Sequence, residues 1–124
     1  AARAGSQTTY CFGNDASELD AHAWYKKNSD QQTHAVGQLQ PNAWGLYDMH
    51  GNVHEWCSDW YQKTYYSKSP SVEPSGPPKG LAKISRGGDW GSDDWYCRSA
   101  IRSLSSPDRR GNRLGFRLVW VPPR

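Results

Sequence analysis

Apolar positions along this chain come in short runs, each broken by glycine, proline or a cluster of polar residues. That pattern predicts short strands and long loops with little helix. Ala1 to Gly5 reads as the tail of a helix stopped by glycine, and Thr8 to Phe12 as a short strand. Asp15, with Glu18 three residues later and Leu19 next, is a capping-box signal for a short helix running to Ala23. Asn28 to Thr33 is a polar loop. From Pro41 to Trp56 turn residues mix with aromatics and end in an alternation that puts Val53, Glu55 and Cys57 on one face and His54, Trp56 and Ser58 on the other. A turn therefore feeds a strand there. Tyr65 to Gly80, rich in Ser, Pro and Gly, is a surface loop. Leu81 to Arg86 is a strand closed by Gly87-Gly88, and Arg98 to Arg102 and Gly115 to Val121 are the last strands, joined by the polar loop Ser103 to Asn112. The class is α+β with much irregular structure.

Composition sharpens this picture. A chain of 124 residues fits one domain. Only 35% of residues are hydrophobic, so the core is small, and 7 Trp and 7 Tyr against 2 Phe and 1 Met make aromatics with a polar handle its main material. The net charge is +3, with Arg98, Arg102, Arg109, Arg110, Arg113 and Arg117 gathered in the last third. Asp89, Asp93, Asp94 and Asp108 are interspersed among them, so local pairing is expected and nucleic acid is not an expected partner. No run approaches the roughly 20 apolar residues of a membrane span, so no membrane partner is expected either. Cys11, Cys57 and Cys97 are too far apart for a metal motif; they permit one disulfide and one thiol, or three thiols, and leave the compartment open.

Two stretches carry a resemblance. The first is Asn42-Ala43-Trp44-Gly45-Leu46-Tyr47-Asp48-Met49-His50-Gly51-Asn52-Val53-His54-Glu55-Trp56; the second runs from Arg86-Gly87-Gly88-Asp89-Trp90 through Cys97-Arg98-Ser99-Ala100 to Gly115-Phe116-Arg117. Together, and in this order, they resemble the formylglycine-generating enzyme, or sulfatase-modifying factor, family. The resemblance implies a C-type-lectin-like α+β fold. It covers nearly the whole chain but only the second half of a family domain, so residues 1–124 are expected to be the C-terminal part of one such domain.

In that family the first block binds calcium. The resemblance implies a structural calcium ion held by the carboxylates of Asp48 and Glu55 and the carbonyls of Gly51 and Val53, which suits a hard cation that takes about six to eight oxygens. The residues alone leave another reading open, with Asp48 capping a turn and Glu55 paired with an arginine. Active family members oxidise a sulfatase cysteine to formylglycine using two cysteines, copper and oxygen, and soft copper needs thiolate ligands. Ser92 stands where the first of those cysteines lies, Asp89 replaces the serine of the Gly-Gly-Ser motif, and His54 replaces a tryptophan. Counting forward from Ser92 puts Cys97 at the second cysteine position; aligning backward from Ala100-Ile101-Arg102-Ser103 puts it outside. A non-catalytic chain is therefore expected, and copper, with Ser92 and Cys97 as its candidate residues, belongs to the alternative, a formylglycine-generating oxidase. The implied fold also makes Cys57 and Cys97 neighbours and the preferred pair for any disulfide. His50 and His54 do not converge in a turn entering a strand, and His54 is expected to face solvent.

Residues 89–113 also resemble the variable segment of proteins diversified by bacterial retroelements. The corresponding positions are Trp90, Ser92, Asp93, Asp94, Trp95, Tyr96, Ser99, Ile101, Ser103, Ser105, Arg110 and Arg113. Trp and Tyr supply contact area at low entropic cost, Ser and Asp adaptable polar contacts, and Arg an anchor for acidic groups. Trp90 sits in the framework motif and is assigned to the core, Trp95 and Tyr96 to the surface. The expected function is binding of a protein or peptide ligand through this segment, with the upstream half of the domain as a further partner.

Overall fold

The computed structural model describes residues 1–72 and 74–120. Two small sheets organise it. The first pairs β1 (Ala23–Trp24) with β2 (His50–Gly51) in parallel, Ala23 against His50 and Trp24 against Gly51. The second has strand order β5-β4-β3-β6, with β3 at His54–Trp60, β4 at Lys83–Arg86, β5 at Ser103–Ser105 and β6 at Leu114–Gly115. β3 and β4 are antiparallel, as are β4 and β5, while β6 runs parallel to β3. Between Trp56 and Trp60 the β3 strand advances four residues while β4 retreats only two, from Ser85 to Lys83, so β3 bulges there. Glycine is required at Gly51: its φ of +70° is left-handed, and a Cβ would collide with the Trp24 carbonyl across the β1–β2 pair.

Tyr10, Leu19, Ala23, Tyr25 and Cys97 form the core cluster, with Phe12 and Ala16 packed against it. Leu19 reaches it from a 3-10 helix at Ala16–Ala21, whose N-cap Asp15 accepts from the Ser17 N–H at 2.9 Å. The helix signal was sound in place, but the element is a tight 3-10 turn that stops before Ala23, which opens β1 instead. His50 is buried under this core and faces Tyr10 and Phe12 edge-on. Its Nε2 accepts from the Cys11 N–H at 3.2 Å, which leaves Nδ1 to donate to the Cys97 carbonyl at 2.7 Å. Both bonds require the neutral ring, and burial pushes its pKa below the ordinary value.

Several expected elements differ. Thr8–Phe12 is a knot of turns, because Thr8 Oγ1 donates to the Tyr10 carbonyl and Asn14 Oδ1 accepts from the Thr9 N–H; these side chains take backbone partners a strand would need. Ala1–Gly5 is a pair of turns with Gly5 at φ +90°. The strand expected at Arg98–Arg102 lies instead at Ser103–Ser105. Arg98 and Arg102 lie over the rings of Trp95 and of Tyr61 and Tyr66, and the Ile101 N–H closes a turn onto the Arg98 carbonyl. Of the expected Gly115–Val121 strand, only Gly115 is paired, within β6; Val121 lies outside the described residues. Phe116, Leu118, Val119 and Trp120 follow β6 in an exposed row. Among the described residues no helix is long and apolar enough to cross a membrane.

Candidate functional site

The register of the larger sheet builds the floor of a polar cavity. Ser85 lies opposite Ser103, Ser105 is two residues along β5, and His54 lies opposite Leu114. Side chains alternate along a strand, so Ser85, Ser103 and Ser105 share one face, with His54 and Leu114 on the same side across β3 and β6. All five line a cavity of about 460 Å³ that is walled by Asp89, Arg109, Asn112 and Arg113. Leu114 supplies its apolar side chain.

Asp89 is 6% exposed and is held by its own turn. Its Oδ1 accepts from the Gly91 N–H at 2.8 Å and from the Ser92 hydroxyl at 3.2 Å, and the Ser92 N–H closes the turn on the Asp89 carbonyl at 2.9 Å. His54 Nε2 lies 3.6 Å from Asp89 Oδ2, and Arg113 Nη1 lies 3.8 Å from Oδ1. The expectation of a solvent-facing His54 is corrected here: its ring is largely covered, its Nδ1 is buried with no hydrogen-bond partner among the described residues, and burial holds its pKa below the ordinary value despite Asp89. Trp90 is buried as expected, its Nε1 donating to the Asn112 carbonyl at 3.1 Å, and the Arg113 guanidinium lies 4.0 Å from its ring centroid.

The remaining candidates of the 89–113 segment do not gather in this cavity. Trp95 and Tyr96 are 59% and 54% exposed on a 3-10 turn at Asp94–Cys97, with Arg98 stacked 3.8 Å over the Trp95 ring. Asp93 pairs with Lys26 at 2.9 Å, and with Asp94 it borders a shallow depression against Tyr25 and Lys27. Ser99 lies on the opposite side, in a groove of about 640 Å³ shared with Trp56, Cys57 and Val119. Ile101 is half-buried and Arg110 is exposed on the loop after β5. Sequence reasoning missed Ser85, Arg109 and Asn112. Only the register of β4 against β5 could have found Ser85, and no local signal marks the other two within their polar loop.

The three cysteines are free. Cys57 and Cys97, the preferred pair for any disulfide, are not joined: Cys97 is fully buried in the core cluster while Cys57 lines the groove on β3. Burial, with Asp89 and Asp94 adding, pushes the Cys97 thiol up to about 12, and burial raises Cys57 and Cys11 as well. Ser92 is committed to the Asp89 turn and Cys97 to the core cluster. Among the described residues no three His, Cys, Asp or Glu side chains converge to hold a metal.

Asp48, Gly51, Val53 and Glu55 do come together, lining a second cavity of about 440 Å³ with Gly37, Asn52 and Arg117. Asp48, Gly51 and Asn52 all have left-handed backbones, φ +54°, +70° and +61°, which folds this block tightly around the cavity. Asp48 Oδ2 accepts from the Gly37 N–H at 2.8 Å. Both Glu55 oxygens accept from Arg117, at 2.7 Å from Nε and 2.6 Å from Nη2. The donors are hard oxygens from carboxylate and backbone, and a carboxylate carries about four lone-pair sites, so Glu55 retains acceptor capacity beyond Arg117. The set therefore fits calcium in kind, and the pairing of Glu55 with an arginine holds at the same time.

These features define an α+β domain of the C-type-lectin-like type, with the Asp48–Glu55 block on one side of β3 and a polar cavity on the other. The chain belongs to the family described as the sulfatase-modifying factor enzyme 1-like domain, which matches residues 1–122. It is 48% identical over 88 residues to a formylglycine-generating enzyme of Streptomyces coelicolor, covering 68% of this chain and 28% of that protein. Among solved structures it is similar to Treponema denticola variable protein 1, with a TM-score of 0.84 and 39% identity over 93% of this chain and 41% of the other. It is also similar to PvdO from Pseudomonas aeruginosa, with a TM-score of 0.79 and 36% identity over 93% of this chain and 46% of the other. The chain thus spans less than half the length of each of these relatives.

Proposed function

We propose that this chain is a ligand-binding domain of the family, presenting its contacts on residues 89–113 and stabilised by calcium at Asp48, Gly51, Val53 and Glu55. The observation that carries this reading is the pair Trp95 and Tyr96, held out to solvent between two buried anchors, Trp90 and Cys97. Two exposed aromatics on a pinned turn offer contact area with little ordering cost on binding. The likeness to a variable protein supports it, since a fixed frame with a presented segment is what recognition by loop variation needs. The experiment is to pan a displayed random-peptide library on the immobilised chain and re-test enriched clones on the Trp95→Ala/Tyr96→Ala double variant. Affinity should fall at least tenfold with the melting temperature kept; equal binding by the variant would remove the reading.

The exposed row Phe116, Leu118, Val119 and Trp120 continues past the groove bordered by Ala1, Ala2 and Met49. Its proposed cover is the part of a family domain that this chain does not span. Supplied as a separate polypeptide, the corresponding part of the variable protein should quench binding of a hydrophobic dye to this row.

The second reading, a formylglycine-generating oxidase, is favoured by the names of relatives such as the Streptomyces coelicolor enzyme. Copper would supply one-electron chemistry with oxygen at thiolate ligands, and this chain brings one buried thiol and a hydroxyl to the corresponding positions. Incubating the chain with copper, oxygen and a Cys-x-Pro-x-Arg peptide, with mass spectrometry for the aldehyde, decides it. No product is expected.

A further inference from the structure

Resting on the binding reading, we infer that the cavity floored by Ser85, Ser103 and Ser105 takes a small hydroxylated molecule bearing one oxyanion, a carboxylate or a phosphate. Charge comes first. Arg109 and Arg113 are the cations of this cavity and Asp89 its carboxylate. Two guanidinium charges therefore stand against one carboxylate. Asp89 already accepts twice inside its own turn, and Arg113 stays 3.8 Å from it, beyond hydrogen-bonding distance. Neither guanidinium donates to another group of the described residues, so two forked donors face the cavity unspent. Such a fork matches the paired oxygens of a carboxylate or phosphate.

Position comes second. The Arg113 guanidinium lies 4.0 Å from the Trp90 ring centroid and occupies the space a side chain at Gly91 would fill. A Cβ at Gly91 would come within 2.5 Å of the Arg113 Cζ, so the absence of a side chain there makes the berth. Trp90 is itself fixed by its bond to the Asn112 carbonyl and by its N–H on the Asn52 carbonyl at 2.9 Å. The arginine is thus oriented before a ligand arrives, which lowers the cost of binding.

The floor comes third. The hydroxyls of Ser85, Ser103 and Ser105 form no hydrogen bond within the described residues, and each can donate and accept. Ligand hydroxyls satisfy them, while Leu114 gives an apolar contact for a ring face. A cavity of about 460 Å³ holds one small molecule and is too small for a folded partner.

The test is calorimetric titration of the chain at constant ionic strength with three probes, glucuronate, glucose 6-phosphate and glucose. Saturable binding of at least one anion, at least tenfold tighter than glucose, is expected; the preferred anion separates a carboxylate from a phosphate source. Arg109→Gln and Arg113→Gln should each weaken that anion at least tenfold. Gly91→Ala keeps every charge yet evicts the Arg113 guanidinium, so it should weaken the anion severalfold. Arg110→Gln, on the same loop but off the cavity, should leave it unchanged. Absence of saturable binding, or equal losses in Arg110→Gln and Arg109→Gln, overturns the inference. Trp95→Ala/Tyr96→Ala should not alter anion binding, so failure of the peptide reading and failure of this pocket are told apart.

Discussion

Two carboxylate–arginine pairs flank β3, and they are built differently. Glu55 and Arg117 meet through two short bonds, with Arg117 also donating to the Tyr47 carbonyl at 2.9 Å. Asp89 and Arg113 stand 3.8 Å apart, each spending its contacts elsewhere, Asp89 on a turn and Arg113 on an indole face. The first pair ties Arg117 to the Tyr47–Glu55 block and so belongs to the frame. The second is held close but unjoined, which is the condition of a site that keeps donors for something else. Sequence places both arginines near acids; only distance tells a lock from a reserve.

The proposed calcium site predicts the largest effect, on one pair only. At free calcium a hundredfold above its dissociation constant the folded state gains about 2.7 kcal/mol, so a chelator should lower the melting temperature by several degrees. Glu55→Gln should abolish that response and Asp89→Asn should leave it intact. A melting curve indifferent to chelator would remove the metal assignment.

Removing the arginines compares the pairs directly. Arg117→Met leaves Glu55 without its forked donor, a loss of about 2 kcal/mol for hydrogen bonds to a charged group. Arg113→Met breaks no hydrogen bond and gives up a half-exposed contact over Trp90, below about 1 kcal/mol. Equal losses in urea denaturation would mean that the two pairs do the same work.

How much of this was readable in advance divides along the same line. Asp48 to Glu55 is one continuous block whose turn residues and alternation are local signals, so its convergence on a cavity could be anticipated through the family resemblance. The serine floor could not. Ser103 and Ser105 fall among the contact positions of the variable-segment resemblance, with the strand expected at Arg98–Arg102; the strand lies instead at Ser103–Ser105 and turns them onto Ser85. The shift follows from Arg98 and Arg102 finding aromatic rings, long-range contacts that no local pattern records. His50 and His54 show the same limit. Only His54 was expected at the surface, while a neutral ring given two backbone partners, as at His50, is a good core residue.

Those histidines set the pH dependence. Burial lowers both pKa values below 6.5 in the folded chain. Just below pH 6.5 the unfolded chain takes up protons that the folded chain refuses, so the unfolded state binds more and stability falls as the pH drops. The loss should continue until the pH passes the lowered folded values. His50→Gln should flatten this slope more than His54→Gln, because His50 is the more deeply buried and Asp89 offsets burial at His54. A steeper slope in either variant would contradict the assignment.

The smallest stability effect is expected where the binding reading places the most function. Trp95 stacks on Arg98, and Tyr96 sits between a buried cysteine and solvent, but both rings are more than half exposed. An exposed cation–π contact contributes about 0.5–1 kcal/mol, and truncating an exposed ring forms no cavity. Trp95→Ala/Tyr96→Ala should therefore melt within a few degrees of the parent chain. The loose pair and the two rings then form one side of the molecule that can change with little cost to the fold, while the locked pair and the core under His50 cannot. A double variant that loses several kcal/mol would place the rings in the frame and cancel that division.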